Sequence, residues 1–549
     1  MKIVIVGGVA GGMSAATRLR RLIEDAAIIV LERGPHVSFA NCGLPYYIGG
    51  TIEDQSKLLV QTPEKLHQRF NLDVRTNSEV LAIDRKEKKV RINHQGKDYE
   101  ETYDRLILST GARPMRPPIK GIEQAENLFT LRDVPDAAAI VSFIENNDVQ
   151  KASIIGAGFI GIEMAENLAA RGIQVTVIER DRQILPPLDP EMAAPIEAVI
   201  KENGVMIRKG KTVTAFEEHG TKLVLDDGSR QAADLVLLSV GVVPESGLAE
   251  HAGLELGERK AILVNDQLET SDSAIYAIGD AIAVKQLVSG ALTVIPLASP
   301  ANRQGRMVAD RIAGLTRTYK GTLGTSIVKA FDLAAAVTGL NEKQLRHAGT
   351  AYQAIHTSPP DHASYYPGSR QMTLKLLFDP ENGRLFGAQA VGEKGVDKTI
   401  DVLSTAIKAG MTVSDLTELE LAYAPPFNSA KAPVNLIGYA AENLLDHAVA
   451  SIQWNEVDHL VKEGAMLVDV RTENEYTHGH IPQSVNLPLD SLRARLGELP
   501  DDRLLIVTCQ VGLRGYLAAR ILTQKGFQVS NLDGGYKLYK TVFPDKVVL

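Results

Sequence analysis

Cysteine is almost missing from this chain: 549 residues hold two, Cys42 and Cys509. Two are too few for a disulfide framework, and without a removable leader they point to the reducing cytoplasm. Long hydrophobic runs are missing as well, none approaching the ~20 residues that a membrane-spanning helix needs. The opening Met1-Lys2-Ile3-Val4-Ile5-Val6-Gly7 has a signal-like apolar stretch, but it runs straight into a glycine turn and reads as a buried strand. Excess positive charge is absent too. A formal net charge of −8 gives no reason to expect nucleic acid or a membrane surface as a partner. What remains is ordinary globular composition, 44% hydrophobic and 23% charged, in a chain long enough for roughly three or four domains.

Residues 3–33 spell a strand–turn–helix–strand unit: Ile3–Val6, then Gly7-Gly8-Val9-Ala10-Gly11-Gly12, a helix over Met13–Arg21, and Ala27–Leu31 closed by Glu32. Glycines in such a turn let the backbone approach a pyrophosphate at the helix N-terminus. An acidic residue ~20 positions later can hold ribose hydroxyls. Val9 stands where the second glycine of this fingerprint normally falls. Residues 151–180 repeat the unit in regular form, with Ser153–Ile155, Gly156-Ala157-Gly158-Phe159-Ile160-Gly161, a helix to Ala170, a strand Gln174–Ile178 and Glu179. Two such units imply two dinucleotides. Between them lies Tyr103–Pro114, with Thr110-Gly111 at its turn, and after them Thr270–Ala281, a β-rich run ending on Gly279-Asp280-Ala281. There a carboxylate can reach a ribityl hydroxyl or simply close an Asx turn.

In this order the four stretches resemble the two-dinucleotide flavoprotein disulfide reductases, over residues 1 to about 445. The resemblance implies FAD in the first unit and NAD(P)H in the second. Carried over by position, Gly7, Gly12, Glu32, Arg33, Thr110, Gly111, Asp280 and Ala298 face FAD, and Gly156, Gly158, Gly161 and Glu179 face the nicotinamide cofactor. A carboxylate at Glu179 repels a 2′-phosphate and favours NADH, while adjacent Arg180 keeps NADPH open.

Cys42 lies just beyond the first unit, in Ser38-Phe39-Ala40-Asn41-Cys42-Gly43-Leu44-Pro45-Tyr46-Tyr47. Small neighbours, Gly43 and Pro45 suggest a loop or helix start, whose N–H groups would lower a thiol pKa. Ser38 stands where many disulfide reductases carry another cysteine, so the run resembles the single-cysteine branch: coenzyme A disulfide reductases, NADH peroxidases and NADH oxidases. With one cysteine, the partner sulfur or oxygen must come from the substrate, as Cys–S–S–R or Cys–SOH.

Tyr365-Tyr366-Pro367-Gly368, Gly395–Asp401 and Leu421–Lys431 resemble the dimerisation domain of the coenzyme A branch, without the His-Glu pair of glutathione reductases. That likeness implies that Tyr423 and either Tyr365 or Tyr366 reach Cys42 of a second subunit; plain interface packing would favour tyrosines too. It also implies coenzyme A ligands at Ser14, Arg18, Arg21, Ser38, Asn41, Asn302 and Lys431. Arg18 and Arg21 share one helix face, which serves phosphates or merely solvates that face.

After Asn443, with Ala448–Ser451 as the expected linker, a further unit begins. Met466–Arg471 reads as a buried strand, Glu475-Tyr476-Thr477-His478-Gly479-His480-Ile481-Pro482 follows, and the strand Leu504–Thr508 delivers Cys509-Gln510-Val511-Gly512-Leu513-Arg514. With Asn531–Gly535, this resembles a single rhodanese domain. A loop curled between strand and helix points several N–H groups at the cysteine, and with Arg514 it stabilises a thiolate or persulfide anion; the alternative is an inactive rhodanese-like binding module. Asp469 and Arg471 read as structural.

The expected architecture is α/β: two Rossmann-like dinucleotide-binding domains, an α+β dimerisation domain and a C-terminal α/β rhodanese domain. The expected boundaries are 1–117 and 245–320 for the FAD domain, 118–244 for the NAD(P)H domain, 321–445 for dimerisation and 446–549 for rhodanese. The resemblances imply a cytoplasmic homodimer without metal. It would use NAD(P)H and FAD to reduce sulfane sulfur (coenzyme A persulfide, polysulfide or related persulfides) and coenzyme A disulfide. Catalysis falls to Cys42, Cys509, Tyr423, Tyr365, Tyr366 and Arg514. A dedicated coenzyme A disulfide reductase, an NADH peroxidase or oxidase, and a redox sensor are the alternatives.

Overall fold

Ile3, Val4 and Ile5 have no exposed surface, which is what the central strand of a parallel sheet covered on both faces requires. Lys2–Val6 pairs in parallel with Ala27–Leu31 on one side and Arg105–Leu108 on the other. The order across this sheet is Ile275–Ala277, Arg105–Leu108, Lys2–Val6, Ala27–Leu31, Asp73–Arg75. The structure is a computed structural model and describes residues 1–548.

A second parallel sheet repeats the plan. Its order is Met206–Lys209, Gln174–Glu179, Lys151–Ile155, Leu235–Leu238, Leu128–Phe129. The helices that follow the glycine turns are Ala10–Leu22 and Phe159–Ala170. The first starts three residues before the expected Met13, because the turn glycines Gly11 and Gly12 already lie in its first turn. Both sheets belong to one unit, Met1–Ile184 with Lys201–Gly324.

The other unit comprises Leu185–Ile200 and Thr325–Leu549. It contains an antiparallel sheet ordered Ser326–Ala330, Leu333–Gly339, Leu385–Gly392, Thr373–Phe378, Gln353–Thr357. Every residue of Leu385–Gly392 is buried, as suits the middle strand. The C-terminal sheet is parallel, ordered Ser451–Ile452, Val529–Leu532, Leu505–Thr508, Met466–Asp469, Val485–Asn486. The expected linker Ala448–Ser451 is not free chain. Ser451 is already paired with Asn531, Ala448 accepts a hydrogen bond from Arg520, and Tyr516 donates to Asn443 at 3.2 Å. The α/β, α+β and α/β parts expected from the sequence are all present.

Candidate redox and sulfur sites

The two glycine turns are built alike. Gly7 and Gly156 have φ of +100° and +104°, and a Cβ there would lie 2.1 and 2.5 Å from the carbonyl oxygens of Ser109 and Ser239. Only glycine fits that conformation and that approach. Each turn is then locked by the acidic residue ending the next strand. Glu32 accepts from the N–H groups of Gly8 and Gly34 at 2.8 and 2.9 Å, and Glu179 accepts from Ala157 and Asp181 at 2.7 and 2.8 Å. A carboxylate has further lone pairs for ribose hydroxyls. Gly12 and Gly161 pack against the carbonyls of Gly7 and Gly156, and Gly158 caps its helix. Both cradles fit a dinucleotide.

Around the first cradle, Thr110 donates to the Glu245 carbonyl at 2.6 Å and Gly111 sits at φ +73°. Arg33, Arg113 and Arg132 surround the Glu245 carboxylate at 3.6–3.9 Å. Asp280 lies in the turn Gly279–Ala281, and burial pushes its carboxyl up to about 6 against the pull of Arg132. Ala298 begins the helix Ala298–Ile312.

Cys42 sits in a 3₁₀ turn, Asn41–Gly43, that leads into the short helix Leu44–Ile48. The residue is exposed, yet its thiol pKa moves up, first through partial desolvation and then through the carboxylates of Glu163 and Asp280. The expected lowering by backbone N–H groups is not found. Among the described residues no N–H donates to Cys42 Sγ, and a five-residue helix carries little dipole. Glu163 is itself raised to about 7 by burial, with Tyr46 donating to it at 3.5 Å.

The expected coenzyme A ligands form two groups in the first unit, with Lys431 apart in the other. Ser14 and Asn302 hydrogen-bond each other, Arg18 pairs with Asp310 at 2.7 Å, and Arg21 donates to the Thr17 carbonyl and is otherwise exposed. Ser38, at φ +47°, and Asn41, which donates to the Arg132 carbonyl, flank Cys42. Lys431 is exposed in the other unit.

In that unit the Tyr365 and Tyr423 hydroxyls are 2.8 Å apart and both residues are exposed. Tyr366 instead packs edge-on to His362, their ring centroids 5.8 Å apart. The pairing thus selects Tyr365 as the companion of Tyr423. Sequence reasoning missed what supports this loop: His362 pairs with Asp361 at 2.7 Å and bonds the Pro367 carbonyl. A His beside an Asp just ahead of Tyr-Tyr-Pro-Gly was the available signal.

Cys509 is buried, and Gly512 donates its N–H to Sγ at 3.2 Å. Glycines hold the loop from behind: a Cβ on Gly535 would lie 2.4 Å from the Cys509 carbonyl, which accepts from Tyr536 N–H at 2.7 Å. Arg514 departs from expectation. Its guanidinium makes a bidentate pair with Glu475, at 2.6 and 2.7 Å, and not a bond to the sulfur. Arg471 and Asp469 form a buried pair with the guanidinium 4.0 Å from the Tyr536 ring centroid, the structural role expected of them.

A buried ionic cluster, unforeseen, stands beneath this loop. His356 bonds Asp533 with both its backbone N–H and Nδ1, at 2.9 and 2.6 Å, and its Nε2 meets Glu191 at 3.2 Å. Lys375, fully buried, reaches Asp189, Glu191 and Glu342, so an ammonium is the cation among these three carboxylates. Burial opposes the charge on His356, but Asp533 and Glu191 outweigh it and lift its pKa to about 9.

Two dinucleotide cradles, a cysteine beyond the first, and a second cysteine met by one loop N–H, Gly512, where several were expected, define a two-dinucleotide redox protein with a C-terminal cysteine-loop domain. Residues 1–305 match the pyridine nucleotide-disulphide oxidoreductase model, residues 325–433 the dimerisation domain of the same family, and residues 453–541 the rhodanese-like domain. The chain belongs to the pyridine nucleotide-disulphide oxidoreductase family, which implies FAD and NAD(P)H. It is 37% identical over 446 residues to the coenzyme A disulfide reductase of Staphylococcus haemolyticus, covering 81% of this chain and 100% of that one. The crystal structure of reduced Bacillus anthracis CoADR-RHD superposes with a TM-score of 0.99 at 53% identity, covering 100% of this chain and 99% of that one. A NAD-dependent persulfide reductase from A. fulgidus gives 0.93 at 40% identity, covering 98% and 100%. No helix among the described residues is long and apolar enough to cross a membrane.

Proposed function

We propose that this protein is a cytoplasmic, homodimeric NADH-dependent reductase of sulfane sulfur, acting on coenzyme A persulfide, polysulfide or related persulfides, and also on coenzyme A disulfide. The observation that carries this reading is that the chain's two cysteines occupy two different reactive settings, the Cys42 turn beside the first cradle and the Cys509 loop. Bound FAD and NADH supply the two-electron reduction. Balanced for a persulfide, R–S–SH and NADH give R–SH, HS⁻ and NAD⁺. Cys42 attacks the substrate S–S bond and holds one sulfur covalently until it is reduced away. Ser14, Arg18, Arg21, Ser38, Asn41, Asn302 and Lys431 hold the coenzyme A moiety. The Tyr365–Tyr423 hydroxyl pair serves Cys42 of a second copy, donating a proton to the departing sulfur. Glu179 selects NADH, with Arg180 leaving NADPH a poorer alternative.

Cys509 carries sulfane sulfur as Cys–S–SH and delivers it to a coenzyme A thiol or to Cys42. A tether places that donor at an effective concentration on the order of millimolar. The test is anaerobic NADH consumption with coenzyme A persulfide, polysulfide and coenzyme A disulfide. Cys42→Ser is expected to lower turnover with every substrate by about 10³-fold or more, while Cys509→Ser lowers polysulfide and persulfide reduction selectively. Equal rates in Cys509→Ser and wild type on every substrate leave the dedicated disulfide reductase, the reading favoured by the staphylococcal relative.

A further inference from the structure

Arg514 closes the Cys509 loop and lies within electrostatic range of Cys509 and Asp469. It is the cation best placed to meet an anionic sulfur donor. Glu475 neutralises it: both carboxylate oxygens take guanidinium N–H groups, and the pair is one-third exposed at each partner. Hydrogen bonds from Arg514, with Thr472 also donating, hold the Glu475 carboxyl down at about 2. Arg471, the other guanidinium at the loop, is taken up by Asp469. The rim itself is apolar, with Leu513 exposed and Leu517 exposed one turn further on.

We infer that Glu475 sets the donor specificity of Cys509, turning it away from thiosulfate and towards persulfides on a thiol carrier. This deepens the reading of Cys509 as a sulfur carrier and rests on it. With thiosulfate, the thiolate attacks the outer sulfur, the S–S bond breaks, and sulfite departs with the bonding pair: Cys–S⁻ and S–SO₃²⁻ give Cys–S–S⁻ and SO₃²⁻. A dianion forms beside a guanidinium whose charge is already matched. With a carrier persulfide, Cys–S⁻ and R–S–SH give Cys–S–SH and R–S⁻, a monoanion that water can protonate, and the carrier arm meets Val511, Leu513 and Leu517. Charge compensation therefore penalises sulfite far more than thiolate as a leaving group.

Glu475→Gln isolates the charge, because glutamine keeps the N-terminal capping bond with Thr472. Full-length protein is loaded with thiosulfate or glutathione persulfide, sulfur on Cys509 is followed by intact-protein mass spectrometry, and transfer to cyanide is timed. The ratio of thiosulfate to persulfide kcat/KM is expected to rise roughly tenfold in Glu475→Gln, equivalent to about 1.4 kcal/mol. The gain is expected to vanish in Glu475→Gln combined with Arg514→Met. An unchanged ratio in Glu475→Gln, a gain that survives loss of Arg514, or wild-type thiosulfate turnover equal to that with persulfide overturns the inference. Failure of wild-type Cys509 to take sulfur from either donor overturns the carrier reading instead.

Discussion

The two cysteines live under opposite regimes. Cys42 sits on a short turn, exposed, with partial desolvation and then the carboxylates of Glu163 and Asp280 raising its pKa, and among the described residues no N–H donates to its sulfur. Cys509 is buried in a loop whose own Gly512 N–H meets the sulfur, with Gly535 and Tyr536 pressing from behind. The Cys509 loop is backed by packed backbone, whereas the cysteine beside the dinucleotide cradle is tuned by burial and by what its neighbours carry. The Cys42 thiol is thus tuned by burial first and side-chain charge second, whereas at Cys509 a main-chain N–H meets the sulfur.

The largest separation of the two comes from removing the support under Cys509. Asp533→Asn takes from His356 the closer of its two carboxylate partners, leaving only Glu191 in a fully buried site. The loss is about 3 kcal/mol, the low end for breaking a buried ion pair. Hydrogen exchange is expected to quicken about a hundredfold across 505–536 and not around Cys42, and equal acceleration at both would erase the distinction.

Alkaline pH does the same more gently. His356 titrates at about 9 in the fold against an ordinary 6.5, so its stabilising charge is fully present below pH 6.5 and lost as pH rises through 9. Protection of the Cys509 region is expected to fall across that window, and His356→Gln to flatten the dependence.

The smallest effect belongs to Cys42. Glu163→Gln removes a carboxylate that opposes its thiolate, so the pH profile of its alkylation in the FAD-loaded enzyme is expected to move to lower pH. A shift the other way would mean that Glu163 acts on Cys42 through packing.

Local grammar made much of this readable. The glycine turns, their closing glutamates and the Cys509 loop each lie within one strand–turn–helix unit, where spacing determines geometry. The features that escaped depend on distant partners. Arg514 and Glu475 are 39 positions apart, and His356 and Asp533 are 177 apart. The pKa of Cys42 could not be read from its own loop, because it is raised by burial in the fold and by acids at 163 and 280. The Tyr365–Tyr423 pairing likewise required two loops 58 residues apart to be folded together.

The bond between His356 and Asp533 also bears on inheritance. Asp533 immediately precedes Gly534-Gly535, the pair that backs the Cys509 loop, yet its principal counter-ion stands on the strand Gln353–Thr357, outside the C-terminal sheet. A fragment cut at the linker would keep the Gln453 amide on Asp533 but lose the imidazolium that balances its charge. The appendage has exchanged portability for registration: it cannot be shuffled to a new host without either a replacement for that imidazole or a neutral residue at 533.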